Sequence, residues 1–218
     1  MQSIYANAAQ VVIWLGTETE HSSTGMDILA HLANGPSPKC KPPWETQAPM
    51  LLQAGLADIM GRPYWPRFWV VQEVAVSQKV AVICGKRMVS WAADHARVRR
   101  FQRYIKLAEI SPRWAECGLS TINMAHLTGL LVLQQKRLAR KSYIVPDMLD
   151  IAHELRHRRT SDPRDRLFAV RGLMEDLQPG DFEPDYSKSV EETYERFSKY
   201  LSVSVNEKCG LSVDCQDF

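Results

Sequence analysis

The stretch Arg62–Gly85, RPYWPRFWVVQEVAVSQKVAVICG, decides how this chain is read. Two tryptophans, Trp65 and Trp69, flank Arg67. A Gln72–Glu73 pair then sits inside the apolar run Val70, Val71, Val74, Ala75. On a short helix, Trp69 and these apolar residues would surround Glu73. A carboxylate in such company is solvated at a cleft, paired, or raised in pKa. The β-branched run Val80–Cys84 that follows, closed by Gly85, reads as a buried strand.

Upstream, Val11–Leu15 is a second apolar, β-branched run, ended by Gly16. The polar Thr17–Thr24 segment is predicted as a loop at the carboxyl end of that strand. In open α/β sheets such loops line ligand crevices. Gly25–Leu32 reads as a short helix. Asn34–Pro49 holds Pro36, Pro38, Pro42, Pro43 and Pro49 and is expected to be irregular. Met50–Met60 reads as a helix with Leu51, Leu52, Leu56 and Ile59 inward. Pro66 suits the first turn of the Trp69 helix, where a missing N–H costs nothing.

Downstream the pattern is helical. Ser90 is the expected N-cap of a helix running to Ala108. Thr121–Arg140 carries Ile122, Leu127, Leu130, Leu131 and Leu138, and Asp147–Arg156 carries Met148, Leu149, Ile151 and Leu155. In TSDPRDRLFAVRGL, Asp162 reads as N-cap, Pro163 as the first helical residue and Asp165 as a charge at the positive helix end. Arg164 and Arg166 are left to pair elsewhere. Ser189–Glu192 has capping-box spacing, and Val190, Tyr194, Phe197 and Leu201 follow as one stripe.

A chain of 218 residues, 45% hydrophobic, can bury a sizeable core, which suggests one domain or one and a half. The net charge of +2 points to no particular partner. Lys86, Arg87, Arg97, Arg99, Arg100, Arg103 and Lys106 form one basic cluster, and Arg156, Arg158 and Arg159 another. Both are read as solvated helix faces, because no aromatic-and-basic RNA-binding signature accompanies them. There is no apolar run of membrane-spanning length and no secretory leader pattern. Cys40, Cys84, Cys117, Cys209 and Cys215 are odd in number and lack a C-x-x-C pair. They are expected to be reduced thiols of a cytoplasmic protein, and Cys84 a small buried hydrophobe.

The stretch RFWVVQE followed by a short strand ending in Cys84–Gly85 resembles the R-x-W-x-x-Q-E motif of the fungal heterokaryon-incompatibility (HET) domain. MQSIYANAAQVVIWLG resembles that family's M-x-x-I-Y-x-x-A-x-x-V-x-V-W-L-G segment. DPRDRLFAVRGL resembles its D-P-R-D-R stretch, and DYSKSVEETYERFSKYL the helix that follows. Together they cover roughly residues 1–85 and 153–201. The family's opening strands, of the form Y-x-A-L-S-Y-x-W-G and L-W-I-D-x-L-C-I-x-Q, are absent, so the chain is read as a truncated product or a fragment.

The resemblance implies an α/β fold: a partial TIR-like, flavodoxin-like parallel sheet, then a mainly helical region. The expected division is 1–90 for the partial HET domain, 91–205 for the helical region and 206–218 for an irregular tail. The implied role is fungal non-self recognition and regulated cell death, through self-assembly or binding of other incompatibility or signalling proteins. Nucleic acid is not expected as a partner.

HET domains are distantly similar to TIR domains, whose enzymatic members cleave NAD with a glutamate in a W-x-x-x-E setting. Trp69 and Glu73 have that spacing. The resemblance therefore offers Glu73 as catalytic residue, Trp69 as its frame and NAD as substrate, with no cofactor. The plainer reading has Glu73 bonded to Arg67 or Arg62.

His153-Glu154-Leu155-Arg156-His157 is a literal H-E-x-x-H, a spacing that could grip zinc with Glu154 as general base. Its third ligand would be Glu175. The neighbouring Arg156, Arg158 and Arg159 disfavour a dication, and a helix turn without metal is the preferred reading.

Overall fold

A computed structural model describes residues 2–36, 41–140, 147–173 and 182–209. Pro38, Cys40, Glu175, Cys215 and the side chains of Met148, Leu149 and Cys209 lie outside the described residues, and with them the expectations placed on them.

The chain opens with helix α1 (Gln2–Asn7), strand β1 (Val11–Trp14) and helix α2 (Ser22–Asn34). Short α3 (Pro43–Thr46) lies within the proline-rich stretch expected to be irregular, and α4 (Pro49–Met60) follows it. Then come α5 (Val70–Ala75), β2 (Lys79–Cys84) and β3 (Arg87–Ala92). The rest is helical: α6 (His95–Glu109), α7 (Pro112–Glu116), a 3-10 turn at Leu119–Thr121, α8 (Ala125–Arg140), α9 (Asp147–Leu155), α10 (Asp165–Arg171) and α11 (Val190–Cys209). α11 reaches into the stretch expected as an irregular tail; 210–218 lie outside the described residues.

The sheet has the order β1-β2-β3. β1 and β2 are parallel, with Ile13 opposite Val82, as a crossover through α2–α5 requires. β3 is antiparallel to β2, so the sheet is mixed rather than wholly parallel. The Ser90 helix start is therefore a correction. Gly85, at φ +55°, lets the chain turn back in two residues, and the alternation of buried Val89 and Trp91 with the less buried Met88, Ser90 and Ala92 suits a strand. The helix start falls instead at Asp94, whose Oδ1 accepts the Arg97 N–H at 2.9 Å. Pro66 is likewise displaced from the first turn of α5, which begins four residues later.

One contiguous core runs from Ile13 to Leu201. α2 packs on α4, β3 and α6; α8 packs on α5 and α6; α10 meets α5 and α9. α2 and α4 approach backbone to backbone. A Cβ on Gly25 would lie 2.1 Å from the Gly55 carbonyl oxygen. Leu52, Leu56 and Ile59 are fully buried as expected, but Leu51 is 49% exposed: it falls outside the i, i+4, i+7 stripe that faces the core. Among the described residues β1 is one of the two edge strands, and its Val12 and Trp14 side chains are exposed.

Candidate functional site

The Arg62–Trp69 segment is held in place by backbone rather than by a helix. Trp65 is buried, and its indole N–H donates to the Ile59 carbonyl at 2.7 Å. Arg67 forms a parallel bridge with Arg159: the Arg159 N–H donates to the Pro66 carbonyl and the Phe68 N–H to the Arg159 carbonyl. The second basic cluster is thus partly internal, which corrects the solvated-face reading. Arg158 is 4% exposed and donates to the carbonyls of Trp65 and His126, each at 2.8 Å. Burial pulls its pKa down to about 10.

Downstream of that bridge lies a buried carboxylate. Asp165, 7% exposed, accepts from the Trp69 indole N–H at 3.0 Å, the Tyr186 hydroxyl at 2.6 Å and the Thr160 hydroxyl at 3.2 Å. All three donors are neutral. The Tyr186 hydroxyl is pushed up to about 12, first by burial and then by its bond to Asp165. Sequence reasoning gave Asp165 only a helix-end role. Arg164, expected to pair elsewhere, turns back onto Asp162 at 2.7 Å and also donates to the Tyr186 and Lys188 carbonyls. The expected cap is displaced: α10 begins at Asp165 with Arg164 at its cap position, so Asp162 and Pro163 lie in the turn before it, where Asp162 Oδ1 accepts the Arg164 N–H at 2.9 Å.

Around this junction a cavity of about 350 Å³ is lined by Ser3, Trp69, Gln72, Phe168, Arg171, Gly172, Pro184 and Tyr186. A second, of about 340 Å³, is lined by Arg67, Phe68, Trp69, Arg159, Thr160 and Ser161. Trp69 borders both. The first cavity draws residues from all four motif stretches of the sequence. Phe182 beside it holds φ +37°, an unusual value for a bulky residue, and its ring packs against Phe168 and Phe197.

Residues 1–73 match the family model for heterokaryon incompatibility protein (HET). No curated protein and no solved structure matches the chain. The match ends at Glu73, so the Phe168–Gly172 and Pro184–Tyr186 walls of the first cavity come from outside the matched HET segment.

Within the HET segment, Glu73 is half-buried and its Oε2 accepts the Tyr64 hydroxyl at 2.8 Å. The Tyr64 hydroxyl is raised, first by burial and then by the Glu73 charge. Arg67 lies over the Tyr64 ring, 5.9 Å from its centre, and Arg62 pairs with Asp58. So neither expected arginine is the hydrogen-bond partner of Glu73. The W-x-x-x-E spacing does produce the helical bond from the Glu73 N–H to the Trp69 carbonyl at 3.2 Å, yet the two side chains take different partners.

The carboxyl ends of β1 and β2, where a crevice is expected, are tied together by hydrogen bonds of the chain itself. Arg62 donates to the Leu15 and Thr17 carbonyls, Glu18 accepts the Lys86 N–H at 2.6 Å, and the Gly85 N–H donates to the Gly16 carbonyl.

His153, Glu154 and His157 are exposed. α9 ends at Leu155, so His157 lies past the helix, and Glu154 pairs with Lys136 at 3.0 Å. Among the described residues no group of His, Cys, Asp and Glu is placed to hold a metal ion. On α6 the first basic cluster is an outward face as expected, opposite Val98, Phe101, Ile105 and Ala108. A cavity of about 820 Å³ along it is lined by Arg99, Arg100, Arg103 and Lys106. Cys84 and Cys117 are free and buried. Among the described residues no helix is long and apolar enough to cross a membrane.

Proposed function

We propose that the chain is a cytoplasmic signalling module of fungal non-self recognition, which triggers regulated cell death by self-assembly or by binding another incompatibility protein. The HET match over residues 1–73 carries this reading. It is supported by the loop after β1, whose polar groups are spent on Arg62, Asp58 and Glu18 bonds rather than held open for a substrate. The exposed apolar side chains Val12 and Trp14 on the sheet edge suit association.

A second reading rests on one observation. Glu73 keeps a half-buried carboxylate whose hydrogen-bond partner is a neutral hydroxyl. Such a group could stabilise the oxocarbenium charge that develops when the nicotinamide–ribose bond of NAD breaks.

Induced expression in a filamentous fungus, with viability and NAD followed together, separates the two. Association predicts growth arrest without early NAD loss, unchanged in Glu73→Gln. Arrest that follows NAD loss, with both abolished in Glu73→Gln, would replace association by hydrolysis. Absence of arrest from stably accumulated protein in the presence of candidate partners would sink both.

A further inference from the structure

Gln72 places an amide where packing alone calls for an apolar side chain. It is 3% exposed, and its Oε1 has no hydrogen-bond partner. An unpaired buried acceptor costs about 1–3 kcal/mol, and such groups are exceptions in native proteins. The Nε2 end of the same amide rests against Gly172, where an added Cβ would come within 1.6 Å of it.

A second unpaired group belongs to the same cavity. Arg171 Nε is buried without a partner, although Nη2 of that guanidinium holds Glu183. Gln72 and Arg171 both line the 350 Å³ cavity. The two residues stand on neighbouring helices, and each carries a buried, unpaired polar atom. The walls are the rings of Trp69, Phe168 and Tyr186, the last two in edge-to-face contact at 5.1 Å. The Arg171 guanidinium is already paired with Glu183, and the Asp165 carboxyl takes its hydrogen bonds from neutral groups.

We propose that this cavity binds a planar, uncharged nitrogen heterocycle of the aminopurine type, with its amino N–H on Gln72 Oε1 and a ring nitrogen on Arg171 Nε. Glutamine is suited to an adenine edge, and aromatic walls stack a base by about 1–3 kcal/mol. The ring satisfies both unpaired atoms at once. A phosphate would find no uncompensated cation there. The site is independent of the association reading, since it concerns residues that the Glu73 test leaves untouched.

The test is calorimetric titration of the full chain with adenine, adenosine and ATP, with uracil as control. Adenine is expected to bind saturably, one per chain; tighter binding of adenosine or ATP also supports the site and identifies the nucleoside or nucleotide as its source. Gln72→Leu, close in size but without the acceptor, is expected to weaken binding by about tenfold or more. Its unfolding temperature should stay level or rise, because the buried unpaired acceptor is gone. A glutamine that merely supports the fold would behave in the opposite way. Ser3→Trp, at an exposed position on the cavity wall, should block binding without disturbing buried groups. It decides the matter if Gln72→Leu folds poorly. No binding of any purine by the folded chain overturns the proposal, as does undiminished binding in both variants.

Discussion

The Trp69 indole N–H donates to Asp165 Oδ2 at 3.0 Å, across 96 residues of sequence. This bond joins the HET-matched segment to the D-P-R-D-R turn, and Tyr186 ties the turn before α11 to the same carboxyl group. Asp165 is a buried carboxyl group held by hydrogen bonds from neutral side chains, so its donors should be energetically coupled.

Trp69→Phe keeps a ring in place but leaves Asp165 with two donors. The expected loss is about 1–2 kcal/mol in urea unfolding. Asp165→Ala leaves the Trp69 and Tyr186 donors without this acceptor, while the Thr160 hydroxyl keeps the Asp162 carbonyl at 2.8 Å, and should cost more, about 2–4 kcal/mol. In a double-mutant cycle, Trp69→Phe with Tyr186→Phe should be non-additive. Strict additivity would mean that the two rings act separately.

Arg158 is the reverse case, a buried cation that donates to two main-chain carbonyls. Its planar fork spans from Trp65 to His126, which a lysine cannot copy. Arg158→Lys is therefore expected to lose about 2–4 kcal/mol despite keeping the charge. Stability equal to wild type would show that the two carbonyls do not need the fork.

The α2–α4 crossing depends on two glycines. With the Gly55 oxygen 2.1 Å from a Cβ on Gly25, Gly25→Ala must drive two backbones apart. About 2–3 kcal/mol should be lost, against the small gain that alanine gives an unhindered helix. A thermal melt in which Gly25→Ala equals or exceeds wild type would refute the close packing.

Local signals carried much of the fold. β1 and β2 announce themselves as β-branched runs closed by Gly16 and Gly85, and α4 by its apolar period. The Ser189–Glu192 capping box forms as spaced, with reciprocal bonds of 2.8 and 3.1 Å. β3 was hidden because Arg87–Ala92 is short and polar on one face, so that Ser90 resembles a cap. The candidate cavity was hidden for another reason. Asp165, Arg158 and Gln72 owe their environments to residues far away in sequence. A D-P-R-D-R turn reads the same whether its second aspartate meets water or an indole. Gln72 stood in the opening motif beside Glu73, and the only clue to its burial was its place between Val71 and Val74 on the α5 face.

The loop after β1 offers a pH test. Burial by itself would raise the Asp58 carboxyl; the hydrogen bonds from Thr19, Ser22 and Arg62, with the Arg62 charge, outweigh it and hold the group below its ordinary 3.8. A carboxyl lower in the folded than in the unfolded chain binds fewer protons when folded. Its contribution is therefore complete well above 3.8 and is lost as pH falls through 3.8 toward the lower folded value. Asp58→Asn removes that contribution and frees Arg62 from its acid partner. The stability gap between wild type and Asp58→Asn should be widest at neutral pH and close steadily below about pH 5. Urea midpoints measured from pH 7 down to pH 3 give the result directly. A gap that stays constant over this range would mean that Asp58 holds the loop by shape rather than by its charge.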